Sequence, residues 1–134
     1  MTALLLSLVL SAAPQTFYVD LEPSSVNLSW QPAIVAGAVE EVRASHGRQA
    51  FPKGDERSKT ARFLLALRVA SSHTTALVVV KIFELADGKL VRTSQVALEN
   101  VTTKEKCVAE VRALVKKELE ALPVDLPEPK KKKE

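Results

Sequence analysis

Between Leu77 and Leu122 the spacing of apolar positions changes twice, and each change marks an element. Leu77 to Phe83 is apolar and rich in β-branched residues, with only Lys81 interrupting. Such a run fits a central strand covered on at least part of both faces. Asp87-Gly88 follows, and Gly88 can take a positive φ at no steric cost, so the chain turns there into a hairpin. Leu90 to Leu98 carries Arg92, Thr93, Ser94 and Gln95 in its middle. That suits a strand near an edge or with one solvated face. Beyond it the period lengthens. Cys107, Val108, Val111, Leu114, Val115, Leu119 and Leu122 recur at three- and four-residue steps, the stripe of an amphipathic helix. Thr102 or Thr103 can cap its start, Thr102 with Glu105 having capping-box spacing, and Pro123 ends it.

The first half of the chain reads the same way. Thr16 to Glu22 alternates, with Phe17, Val19 and Leu21 on one face, as a half-buried strand does. Pro23-Ser24-Ser25 breaks it. A helix is expected from about Trp30 to Ser45, starting near Pro32 and directing Ile34, Val35, Ala38 and Val42 inward. His46-Gly47 closes it, with Gly47 where helices turn left-handed. Residues 47–60 read as a charged loop that Phe51 anchors, or in which Phe51 ends a short extra strand. Ala61 to Ala70 is the next strand and Ser71 to Thr75 a polar turn. The predicted order is β-α-β-β-β-α. This is an α+β fold with a mostly antiparallel sheet, two helices on one face and the other face open or thinly covered.

At 134 residues the chain fits one domain, predicted over residues 14–122, and 46% hydrophobic content is enough for a packed core. Residues 123–134, rich in Pro and Lys, are expected to form a disordered tail. The net charge of +3 falls close to neutrality once Lys130 to Lys133 are set aside, so nothing global demands a nucleic-acid partner. At the other end, residues 3–10 (ALLLSLVL) form an apolar core followed by Ser11-Ala12-Ala13, small residues at the spacing of a cleavage site. Residues 1–13 therefore read as an export signal. Neither Lys nor Arg precedes the apolar core, and cleavage after Ala13 would leave Pro14 at the new terminus. The alternative is a small cytoplasmic binding protein whose apolar N-terminus is structural.

The strand ending at Tyr18–Pro23, the helix, the three meandering strands and the final helix together resemble the TolB amino-terminal domain and the small domains of the CsgG and LpoB type. In those envelope proteins a hairpin of the form L-x-V-x-L-x-D-x-x-x-G-x-x-V recurs, and ALVVVKIFELADGKLV is its counterpart here. The resemblance spans about residues 17–122. It implies a non-enzymatic periplasmic module that meets other envelope proteins, and it transfers no functional residue. Where such domains carry a further helix and a glycine-bearing strand, this chain has the charged 47–60 segment.

Candidate chemistry is sparse. Cys107, the single cysteine, lies on the apolar stripe and reads as a buried thiol. His46 and His73 lack partners at ligand spacing, so no metal and no cofactor is expected. Ser71, Ser72, Thr74 and Thr75 around His73 lack a nucleophile elbow and read as turn formers. Glu40 and Glu41, adjacent on a helix, do not form a carboxylate pair. The strongest asymmetry is basic: Arg43, Arg48, Lys53, Arg57, Lys59, Arg62 and Arg68 stand against only Asp55 and Glu56. Of these, Arg48, Lys53, Arg57, Lys59 and Arg62 are the candidate contacts for an anionic surface on an envelope protein, with weak contact to anionic lipid or cell-wall polymer besides. The segment lacks the interleaved aromatics of a nucleic-acid platform. The predicted function is an exported, non-catalytic interaction module of the bacterial envelope.

Overall fold

The alternation in the first strand becomes the seam of the sheet. The structure, a computed structural model, describes residues 14–129; the leader expected at 1–13 and the Lys130–Lys133 run lie outside them. In β1, Gln15–Leu21, Gln15, Phe17 and Val19 are buried, with half-exposed residues between. A 3-10 turn at Leu28–Trp30, capped by Asn27, leads into helix α1, Gln31–Ala44. The remaining strands are β2 (Arg48–Pro52), β3 (Phe63–Ser72), β4 (Thr75–Glu84) and β5 (Lys89–Leu98), and helix α2 spans Lys104–Ala121.

These strands form one sheet in the order β2-β1-β3-β4-β5. β1 pairs in parallel with β2 and β3, over five residue pairs each, whereas the antiparallel β3–β4 and β4–β5 ladders run for ten and nine. The fold is therefore α+β with a mostly antiparallel sheet, as the pattern predicts. One strand is additional. β2 lies within the segment expected to be a loop, and Phe51 sits inside it rather than at its end. Its inward residues are Arg48 and Ala50, so no apolar alternation announces it. The parallel return to β1 is made possible by α1, a crossover of the usual kind.

Both helices cover one face. Phe17, Val19, Phe63, Leu65, Leu67, Val78, Val80 and Ile82 line it, and Ile34, Ala38 and Val42 of α1 with Val111, Val115 and Leu119 of α2 close over them. Phe17 and Phe63 stack with ring centroids 5.0 Å apart across the β1–β3 seam. The helices approach closely where Gly37 of α1 meets Val108 of α2: a Cβ on Gly37 would lie 2.8 Å from Val108 Cγ1. Arg112 of α2 reaches back to Glu40 and Glu41, at 3.2 and 3.0 Å, so the two carboxylates share one guanidinium.

Turns and caps follow local chemistry. Thr103, rather than Thr102, caps α2, accepting from Lys106 N–H at 3.2 Å. Gly47 and Gly88 take φ of 79° and 72° as their positions require. The β4–β5 connection is four residues, Leu85 to Gly88, closed by Gly88 N–H to Glu84 C=O at 2.8 Å. Between β3 and β4, only His73 and Thr74 turn the chain.

The segment after α2 has no regular structure, yet it is held. Gln15 Nε2 donates to Pro123 C=O at 2.8 Å, and Arg62 donates to the carbonyls of Leu126 and Pro127 at 2.9 and 3.0 Å. Leu126 packs against the core. Residues 122–127 thus strap the end of the sheet, in contrast to the free tail expected from composition.

Candidate functional site

The five predicted cations separate into two groups. Arg48 is buried at 8% exposure, and donates to Gln15 Oε1 and Ser45 Oγ, both at 2.8 Å, and to the Leu122 carbonyl. Burial lowers its pKa from the ordinary arginine value. Arg62 makes two bonds to the Glu84 carboxylate, at 2.8 and 3.0 Å, spends its other donors on the strap, and lies 4.6 Å over the Phe63 ring. These two arginines are structural clasps at the strand ends. Their neighbours Gln15, His46, Glu84, Leu85 and Leu126 line an open cleft of about 1170 Å³. The guanidinium donors of Arg62 and Arg48 are already committed to the Glu84 carboxylate, to Gln15 and Ser45, and to main-chain carbonyls.

Lys53, Arg57 and Lys59 form the second group and stay exposed on the segment after β2, which includes a 3-10 turn at Glu56–Thr60. Arg57 pairs with Asp55 through two bonds, at 3.1 and 2.9 Å, and those bonds hold the Asp55 carboxyl below the usual range. Lys59 stands 3.6 Å from Glu56. Among the described residues Lys53 alone of the five has no side-chain partner. Of the exposed three, Arg57 and Lys59 thus each stand beside a local carboxylate.

Arg57 also lies 4.6 Å over the ring of Phe51, and this contact connects the basic segment to a feature that residue spacing did not reveal. Phe51 faces away from the helices. Register carries that side across all five strands, from Phe51 to Tyr18, Leu64, Phe83 and Leu90. A continuous apolar rung therefore crosses the helix-free face. Tyr18, Leu64 and Phe83 are half-buried, and Leu90 is 49% exposed. Further along the same face lie Ala66, Val79 and Leu77. The rung was hidden because its members come from strands whose register cannot be read in advance. The unbroken apolar run of β4 was the available signal, since such a run supplies both faces at once.

The remaining candidates are accounted for. His46 and His73 fall at opposite ends of the sheet, and among the described residues no cluster of three His, Cys, Asp or Glu could hold a metal. Ser71 exchanges bonds with Ser25, at 2.9 and 3.2 Å, and Thr75 Oγ1 donates to Ser72 C=O at 2.8 Å, so these hydroxyls tie the turn together. Cys107 is fully buried, and burial raises its thiol pKa. Among the described residues no helix is long and apolar enough to cross a membrane.

No family model matches the sequence, and no curated protein does. Solved structures do share the fold. The dodecamer of a Leu-to-Met variant of PelC from Paraburkholderia phytofirmans superposes with a TM-score of 0.60 at 12% identity, over 78% of this chain and 87% of that one. TolB from Acinetobacter baumannii gives 0.55 at 10% identity, over 84% of this chain but 30% of TolB. Lipoprotein GNA1162 from Neisseria meningitidis gives 0.53 at 13%, over 82% of this chain and all of that one. The chain has the fold of the TolB-type envelope domains, as the hairpin and the element order imply. At these identities the similarity concerns fold and not sites.

Proposed function

We propose that this chain is an exported, non-catalytic interaction module of the bacterial cell envelope, and that it meets a protein partner through the helix-free face of its sheet. The observation that carries the reading is the apolar rung from Phe51 to Leu90 on the helix-free face, half-buried at Tyr18, Leu64 and Phe83 and exposed at Leu90, on a fold shared with TolB and with a lipoprotein. Apolar surface of this kind, rimmed by charge, is the usual form of a protein contact. Lys53, Arg57 and Lys59 stand at its β2 side and supply the rim, where they steer an acidic partner more than they hold it. The apolar leader at residues 3–10 supports export.

Two measurements test this. The intact mass of chain recovered from the periplasm is expected to lack about the first 13 residues, the length of a short leader; recovery only from cytoplasm at full length rejects export. A photo-crosslinking residue at Leu90 is expected to capture an envelope protein, while one at exposed Lys117 on α2 does not. Equal capture at both positions rejects the face.

A further inference from the structure

We propose that the outer edge of β5 pairs with β5 of a second copy of this chain, antiparallel, about a two-fold axis at Ser94. This goes beyond the envelope reading and does not depend on export. The two edges of the sheet are treated differently. β2 is five residues long, ends in Pro52, and has its Ala50 carbonyl taken by Arg43 Nε at 3.1 Å. Those are the devices that blunt an edge against pairing. β5 is ten residues long. Among the described residues its main-chain groups bond only along β4, apart from the Lys89 N–H that Asp87 accepts. From Thr93 to Leu98 it carries no charge, Pro or Gly.

Ser94 selects both the partner and the register. Its side chain lies on the helix-covered face, opposite Val80 of β4, and its Oγ is buried without a hydrogen-bond partner among the described residues. Buried hydroxyls are almost always paired. A two-fold axis normal to the sheet keeps each residue on its own face and sets Ser94 against Ser94. Directly opposed residues stand with Cβ atoms about 4.5–5.5 Å apart, within reach of a hydroxyl pair once χ1 turns. Moving the axis to Gln95 or Val96 would oppose Ser94 with Val96 or Leu98 and leave the hydroxyl orphaned. In the Ser94 register the cationic end of the strand, Lys89 and Arg92, runs beside the end that carries Glu99. Self-pairing of one patch with itself is the isologous geometry of most dimers, and edge-to-edge strand addition is a recurrent way to achieve it.

This register also opposes Thr93 with Gln95 of the other copy. Both are exposed, so charges can be placed there without touching the core. Sedimentation of the purified full chain at micromolar concentration is expected to show a dimer. T93K/Q95K sets lysine against lysine twice and is expected to sediment as a folded monomer, with an unchanged circular dichroism spectrum. T93K/Q95E sets lysine against glutamate twice and is expected to restore the dimer. A monomeric wild-type chain overturns the proposal and leaves the edge to a different partner. A dimer that survives T93K/Q95K places the contact elsewhere and overturns it too. Loss of the dimer in both variants overturns the Ser94 register.

Discussion

Arg62 and Glu84, 22 residues apart in sequence, close the end of the sheet through two parallel bonds of 2.8 and 3.0 Å, and the same guanidinium holds the carbonyls of Leu126 and Pro127. Their side chains are 15% and 6% exposed, so the pair is largely shielded from water. Removing one partner of such a pair leaves an uncompensated buried charge. Arg62→Ala is therefore expected to cost about 3–5 kcal/mol in denaturant unfolding. Arg62→Lys recovers only part of this, because a single ammonium cannot reproduce the forked geometry. A loss below about 1 kcal/mol, the level of an exposed pair, would show that the clasp is solvated.

The strap itself is the second test. Truncation after Leu122 removes the carbonyls bound by Gln15 and Arg62 and the packing of Leu126. A loss of about 1 kcal/mol or more is expected, which in a domain of this size lowers the unfolding midpoint by roughly 4 °C or more. An unchanged midpoint returns the segment to the status of a free tail.

What the sequence made legible follows from where the signal is local. The α2 stripe is set by seven apolar residues on one helical face, and the hairpin by Gly88, so both could be read directly. β2 could not. Its inward positions are Arg48 and Ala50, and Arg48 is accommodated only because Gln15, Ser45 and the Leu122 carbonyl converge on it from three separate segments. The same holds for the strap, whose attachment uses main-chain carbonyls that every residue possesses. The basic segment was legible as charge. What composition could not show is that Arg48 and Arg62 turn inward, whereas Lys53, Arg57 and Lys59 stay outside.

Gly37 offers a test of the helix layer. Gly37→Ala gains about 1 kcal/mol of helix propensity. The added Cβ meets the stiff Val108 side chain at 2.8 Å, and overpacking costs about 1–3 kcal/mol. Net destabilisation is expected. It should be relieved in the Gly37→Ala, Val108→Ala double variant relative to the sum of the singles. A stabilised Gly37→Ala chain would mean that the helices separate freely.

Cys107 reports on the same layer. Fully buried on α2, it is expected to react with a thiol reagent only when the protein unfolds. Burial raises its pKa, because the thiolate loses its hydration. This contribution to stability is therefore present below the unfolded thiol value and is lost as pH rises through the higher folded value. Wild type is thus expected to lose stability in alkali relative to Cys107→Ala. Fast labelling of the native chain, or parallel pH profiles for the two, would contradict the burial.

The helix-free face and its basic rim can be told apart by salt. Phe83 is half-buried in the middle of the apolar rung, whereas Lys53 and Lys59 stand exposed beyond Phe51. Phe83→Ser is expected to abolish capture of the partner at any ionic strength, because it removes the apolar centre of the contact. Lys53→Glu with Lys59→Glu is expected to slow association at low salt, an effect that fades as added salt screens exposed charges over about 8–10 Å. Association rates of the purified partner, measured across a salt series, separate the two. If the lysine variant abolishes binding at high salt while Phe83→Ser binds normally, the contact lies on the basic segment and not on the face of the sheet.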